Sequence, residues 1–223
     1  NKSKAGNNFA VREVCHALME LGKTNVIDRE QLGIWKEKLA ALDISATYTH
    51  IVSKEEPTPA NWAYFAVLSE QARGLLCGIE SAEFLEHQLP SQLLRLDENG
   101  MYRDHTITGP HQPMVYDVVT RTLIGLSLWF GYNGKYASEI EKMMERSDEL
   151  TLKMQSVTGE LAFGGRSNQC IHNETLAANY YELRASLLNK KGDLEKAQKF
   201  KAAAKKAAEC CMNWLREKPL SLF

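Results

Sequence analysis

Residues 114–131 read MVYDVVTRTLIGLSLWFG, and residues 135–156 read KYASEIEKMMERSDELTLKMQS. The first stretch is apolar almost all round, which describes a buried helix. The second carries apolar residues at helical spacing on one face and charges on the other, which describes a helix covering an edge. Only Tyr132, Asn133 and Gly134 separate Gly131 from the second stretch, so the two fold back as an antiparallel hairpin.

The same reading extends in both directions. Helical periodicity places helices near 8–22, 29–42, 61–77, 81–95, 114–131, 135–156, 168–190 and 193–217. Gly22, Gly78, Gly131 and Gly192 stand where C-terminal stops belong, and Asp28, Ser81 and Asp193 where N-caps belong. Pro113 suits a first helical position. No stretch alternates with period two, so strands should be minor. Short and long connections alternate, the long ones spanning about 43–60, 96–113 and 157–167. The third, fifth and seventh helices begin about 53 residues apart, making one hairpin the repeating unit. The fold class expected is all-α: stacked antiparallel hairpins forming an (α/α) toroid or part of one. Its inner layer is apolar, its outer layer is charged, and all long loops lie at one end. A single domain over 1–223 is expected, an incomplete ring or a piece of a longer chain.

Composition is ordinary for a folded protein, with 44% hydrophobic and 25% charged residues. A formal net charge of −1 removes the electrostatic argument for nucleic acid. The lysines of 196–206 are spaced by alanines and read as a solvated outer face. No apolar run is long enough for a membrane span. The five cysteines follow no metal or redox spacing and read as small apolar residues. No metal or cofactor is expected. The chain opens on Asn without a signal-like segment, as a processed or truncated start would.

Inner-helix N-termini facing one surface would favour anions, and the densest polar sequence lies there. One segment, 99–117, reads NGMYRDHTITGPHQPMVYD; another, 158–174, reads TGELAFGGRSNQCIHNE. A weaker patch joins Tyr48 and His50 to Asn61 and Trp62. Arg166 offers a fork matched to a carboxylate. Asn168 and His172 share a face at i and i+4, with Gln169, Asn173 and Glu174 close by. Ser167 or Asn168 could equally cap the helix. In the first segment, Tyr102, His105, Tyr116 and Asp117 are the candidates. Asp117 and Arg121, also at i and i+4, could instead be a structural ion pair. His16, His87, Met143, Met144 and the tryptophans read as ordinary packing or surface residues.

These segments, with the inner and outer helix pairing and Asn61-Trp62 opening an inner helix, resemble the α/α-toroid carbohydrate-active enzymes. The group they resemble is the chondroitin AC/alginate lyase-like class, including heparinase II/III-like proteins. Such toroids have five to seven hairpins, and this chain supplies about four. The resemblance implies β-elimination on a uronic-acid polysaccharide and a periplasmic or secreted location. It also implies a carboxylate-neutralising group (Asn168, Gln169 or Arg166), a base (His172 or His105) and a tyrosine acid (Tyr116 or Tyr102). Glu174, Asp117, Asn173, Asn61 and Trp62 would help bind an acidic oligosaccharide or polysaccharide. Two alternatives stand beside the lyase. One is a glycoside hydrolase drawing on Asp104, Asp117, Glu160 and Glu174. The other is a helical-repeat protein that binds without catalysis.

Overall fold

A computed structural model of the chain describes residues 5–49, 60–104, 114–161 and 171–217. Among them are nine helices: α1 (Ala5–Leu21), α2 (Arg29–Ala40), α3 (Ile44–Thr47), α4 (Ala60–Cys77), α5 (Ala82–Leu93), α6 (Met114–Trp129), α7 (Ala137–Lys153), α8 (Ile171–Lys191) and α9 (Leu194–Glu217). The only extended pairing among these residues is two isolated bridges, Leu96 with Tyr102 and Gln155 with Leu161. Eight helices match the expected ones. The addition is α3, a single turn inside the first long connection, started by Asp43, whose carboxylate accepts the Ser45 N–H at 2.9 Å.

Most helix ends follow their punctuation. Gly78, Gly131 and Gly192 adopt φ of 70°, 90° and 85°, a region open to glycine, and each ends its helix. Asp28 caps α2 through the Glu30 N–H, and Asp193 accepts from the Lys196 N–H at 3.1 Å. Ser81 departs from expectation. It occupies the N-cap position of α5 without a capping bond, and Glu80 accepts the Ala82 N–H at 2.7 Å instead. None of the residues of α2 is buried, so its start depends on local interactions. Asp28→Ala should therefore fray α2 and cost about 1 kcal/mol. Amide exchange over 29–33 would register the loss.

Contacts divide the chain into two compact units, Asn1–Leu94 with Phe130–Ala137, and Arg95–Trp129 with Ser138–Phe223. In the first, α4 is central, with Ala63, Tyr64, Ala66, Val67 and Leu68 all fully buried. Alongside it runs α1, parallel: Asn8 Nδ2 donates to the Trp62 carbonyl, and the Arg12 N–H to Ser69 Oγ. From the other side α2 crosses antiparallel, and Arg73 Nη1 donates to the Leu39 and Ala40 carbonyls at its C-terminus, 3.0 Å each. That guanidinium also pairs with the buried Glu70, which accepts from Tyr48 Oη at 3.2 Å. The segment Phe130–Ala137 docks on this unit. The Phe130 ring lies 4.5 Å from His16, and Glu86 Oε1 accepts from Tyr132 Oη at 2.6 Å.

The second unit is built from α6 to α9. Arg121 of α6 reaches Tyr180 of α8, and Gly125 lies against Leu183, so these two buried helices run parallel. Their N-termini consequently share one end, and the connections leading into both helices arrive there. Helix α7 lies antiparallel to both, with Ile140, Met143 and Met144 buried. Helix α9 returns along α8, burying Ala197, Phe200, Ala203, Ala204, Ala207, Cys210 and Cys211 at i, i+3, i+4 spacing. Its lysines face outward apart from Lys196, which bonds the buried Asp148 at 3.1 Å beside Arg184. Cys15, Cys77, Cys210 and Cys211 are free thiols, consistent with packing roles.

Candidate functional site

The end of the second unit where the long connections enter is organised by two turns of one design. In the first, Asp97 Oδ1 accepts the Asn99 and Met101 N–H groups, 2.9 Å each, while Arg103 is ion-paired with Asp97 Oδ2. The Asp97 N–H donates to the Met101 carbonyl, and the Gly100 N–H to the Asp97 carbonyl. In the second, the Ser156 N–H donates to the Glu160 carbonyl, and the Gly159 N–H to the Ser156 carbonyl. Gly100 and Gly159 both have positive φ, 74° and 100°. Each presses on an outer helix, at the Met143 carbonyl of α7 and the Lys206 carbonyl of α9 respectively.

Each turn is then tied to the inner helix that follows it. Asp117, in the first turn of α6, accepts the Tyr102 N–H at 2.5 Å. Glu174, in the first turn of α8, accepts the Leu161 N–H at 3.3 Å. The two carboxylates therefore occupy equivalent positions in a structural repeat. Their surroundings differ. Asp117, 1% exposed, is ion-paired with Arg121, whose Nη1 also donates to Ser147, Thr151 and Tyr180. Of the two interpretations open for that pair, the buried ion pair is the arrangement found. Glu174 has no cation paired with it among the described residues. Burial is the main reason its carboxyl is pushed up to about 7, against the pull of the Leu161 N–H and with help from the charge of Glu160.

The other expected residues divide as follows. Tyr102 is buried, while Tyr116 is half-buried on the first turn of α6. Asn61 is buried at the start of α4, and Trp62 is 37% exposed beside the Phe9 ring, at 5.6 Å. Tyr48, from the weaker patch, is a core residue held by Glu70. His172 and Asn173 lie in the first turn of α8, where the structure describes their backbone. His50, His105, His111, Pro113, Cys170, Arg166, Ser167, Asn168 and Gln169 lie outside the described residues. Two grooves of about 320 and 630 Å³ run between α8 and α9, and none of the expected residues lines either. No group of three or more metal-ligating side chains occurs among the described residues. Among the described residues, no helix is long and apolar enough to cross a membrane.

Sequence reasoning missed the turn repeat, although its signal is visible: Asp97-x-x-Gly100-x-Tyr102 and Ser156-x-x-Gly159-x-Leu161 place glycine at the same step of the turn, each in the connection that leads to the next buried helix. Comparison of the chain with protein-family models, with curated proteins and with solved structures finds no match.

Proposed function

We propose that this protein is a carbohydrate-active enzyme that cleaves a uronic-acid-containing glycan by β-elimination. One observation carries the reading. In the second unit, two parallel buried helices direct their N-termini to one end, and a tied turn delivers a polar connection to each. Unpaired N–H groups and the helix dipoles make that end receptive to carboxylates. A uronic acid supplies a carboxylate next to the carbon whose proton must leave.

In the reaction, Arg166, Asn168 or Gln169 neutralises the C5 carboxylate and so acidifies the C5 proton. His172 or His105 removes that proton, and the freed electron pair forms the C4–C5 double bond. The C4–O bond breaks, and a tyrosine protonates the departing oxygen. Tyr116 suits that role better than Tyr102, because it is half-buried where Tyr102 is 2% exposed.

Incubation with alginate, pectate, chondroitin or heparan sulfate should generate the ultraviolet absorbance of an unsaturated uronate. His172→Ala and Tyr116→Phe should each lower that rate by 10²-fold or more, about the contribution of one acid or base. A second reading, glycoside hydrolysis, is favoured by Glu174, whose buried carboxyl retains its proton close to neutrality, as a general acid must. New reducing ends without the ultraviolet signal would assign that reaction. Neither signal would leave a glycan-binding protein.

A further inference from the structure

The two tied turns differ in one respect with a functional consequence. Both use an inner-helix carboxylate to hold a backbone N–H just beyond a left-handed glycine. At the first, the negative charge is answered by Arg121 four residues along α6. At the second, the residue four along is Ala178. We propose that Glu174 is the sensing group of a pH-responsive latch, fastening the turn 155–161 to α8 more firmly at acidic than at alkaline pH.

Among the described residues, the groups facing Glu174 all fail to offset its charge. From the turn comes Glu160, an exposed carboxylate of like sign. From α9 come Cys210 and Cys211, buried thiols whose loss of a proton is itself disfavoured by burial and by Glu174. From α8 itself comes Tyr181, a buried phenol pushed up for the same reasons and donating to the Thr151 carbonyl at 3.1 Å. The N-terminal end of α8 favours the ionised form; burial of this residue, 4% exposed, acts in the opposite sense and is the largest cause of the upward shift.

The direction follows from linkage. When the turn opens and Glu174 meets water, its carboxyl returns to the ordinary 4.5, against about 7 in the closed state. Between those values the closed state holds a proton that the open state releases. Each rise in pH across that window therefore favours opening, and above the closed-state value the effect levels off. Oε2 accepts the Leu161 N–H in either protonation state, so the hydrogen bond alone does not fix the latch. The proton on the carboxyl does.

Residue-resolved amide exchange across pH 5 to 8.5, corrected for intrinsic rates, tests this on the full chain. The protection of Leu161 should fall by about tenfold or more between pH 5 and 7 and then level off. That of Tyr102, whose acceptor is ion-paired, should stay flat and serves as the internal control. In Glu174→Gln, which keeps an acceptor and cannot ionise, the Leu161 profile should also be flat. A wild-type Leu161 profile as flat as that of Tyr102 would overturn the proposal, and so would a fall that persists in the glutamine variant. The wild-type comparison decides the matter even where the variant folds poorly.

Discussion

Arg121→Ala should destabilise the protein by about 3–5 kcal/mol, the usual cost of removing one partner from a buried ion pair. The guanidinium is fully buried on α6 and bonds Asp117 with Nε at 2.8 Å and Nη2 at 2.5 Å. Its Nη1 gathers Ser147 and Thr151 of α7 and Tyr180 of α8, and its plane lies over the Tyr180 ring with the carbon at 4.6 Å. Truncation leaves Asp117 charged and buried, takes a charged donor from three hydroxyls and opens a cavity where three helices meet. Urea unfolding followed by circular dichroism would measure the loss. The double variant Asp117→Asn with Arg121→Met should be appreciably milder, because no uncompensated charge then remains. A double variant as unstable as the single one would mean that the charge matters less than the shape of the arginine.

The second large effect is expected at Gly100 and Gly159. A side chain at Gly100 meets two separate penalties. Its φ of 74° is left-handed, and an added Cβ would overlap the Met143 carbonyl oxygen, part of the backbone of α7, which cannot swing aside. Gly159 repeats both conditions, at φ 100° and against the Lys206 carbonyl. Alanine at either position should cost about 3 kcal/mol or more, since strain and displacement of a packed helix add. Gly78 and Gly131 share the backbone conformation but have open space around them, so alanine there should cost only about 1 kcal/mol. Thermal unfolding of the four single variants would separate the two causes. Equal losses at all four would show that the helix contact contributes nothing.

The helices were legible because their signals are local. Apolar spacing, glycine stops and acidic caps lie within one turn of the features they determine, and the burial of α6 follows from its own composition. The charged core was not legible. Asp148 with Arg184, and Tyr48 with Glu70, join residues from different helices, and no spacing rule links them. Asp117 and Arg121 were visible as a pair, but i, i+4 spacing describes a surface ion pair equally well. Burial alone distinguishes the two, and burial is a tertiary property. Glu174 stood out in sequence among polar neighbours. That it is enclosed, and equivalent to Asp117, follows from where α9 packs and from the return of the chain at Leu161. The same limit explains Ser81, a good cap by composition whose role Glu80 takes.

Closing the chain between Tyr102 and Asp117 with one backbone-to-carboxylate bond settles the loop-closure entropy at the base of the connection. A connection whose two ends are already fixed can change in length or content at little further cost, since each doubling of a flexible loop adds only about 0.6 kcal/mol. The tied turns therefore make the connections that enter α6 and α8 exchangeable cassettes. New binding chemistry could be installed there while the helices beneath keep their packing.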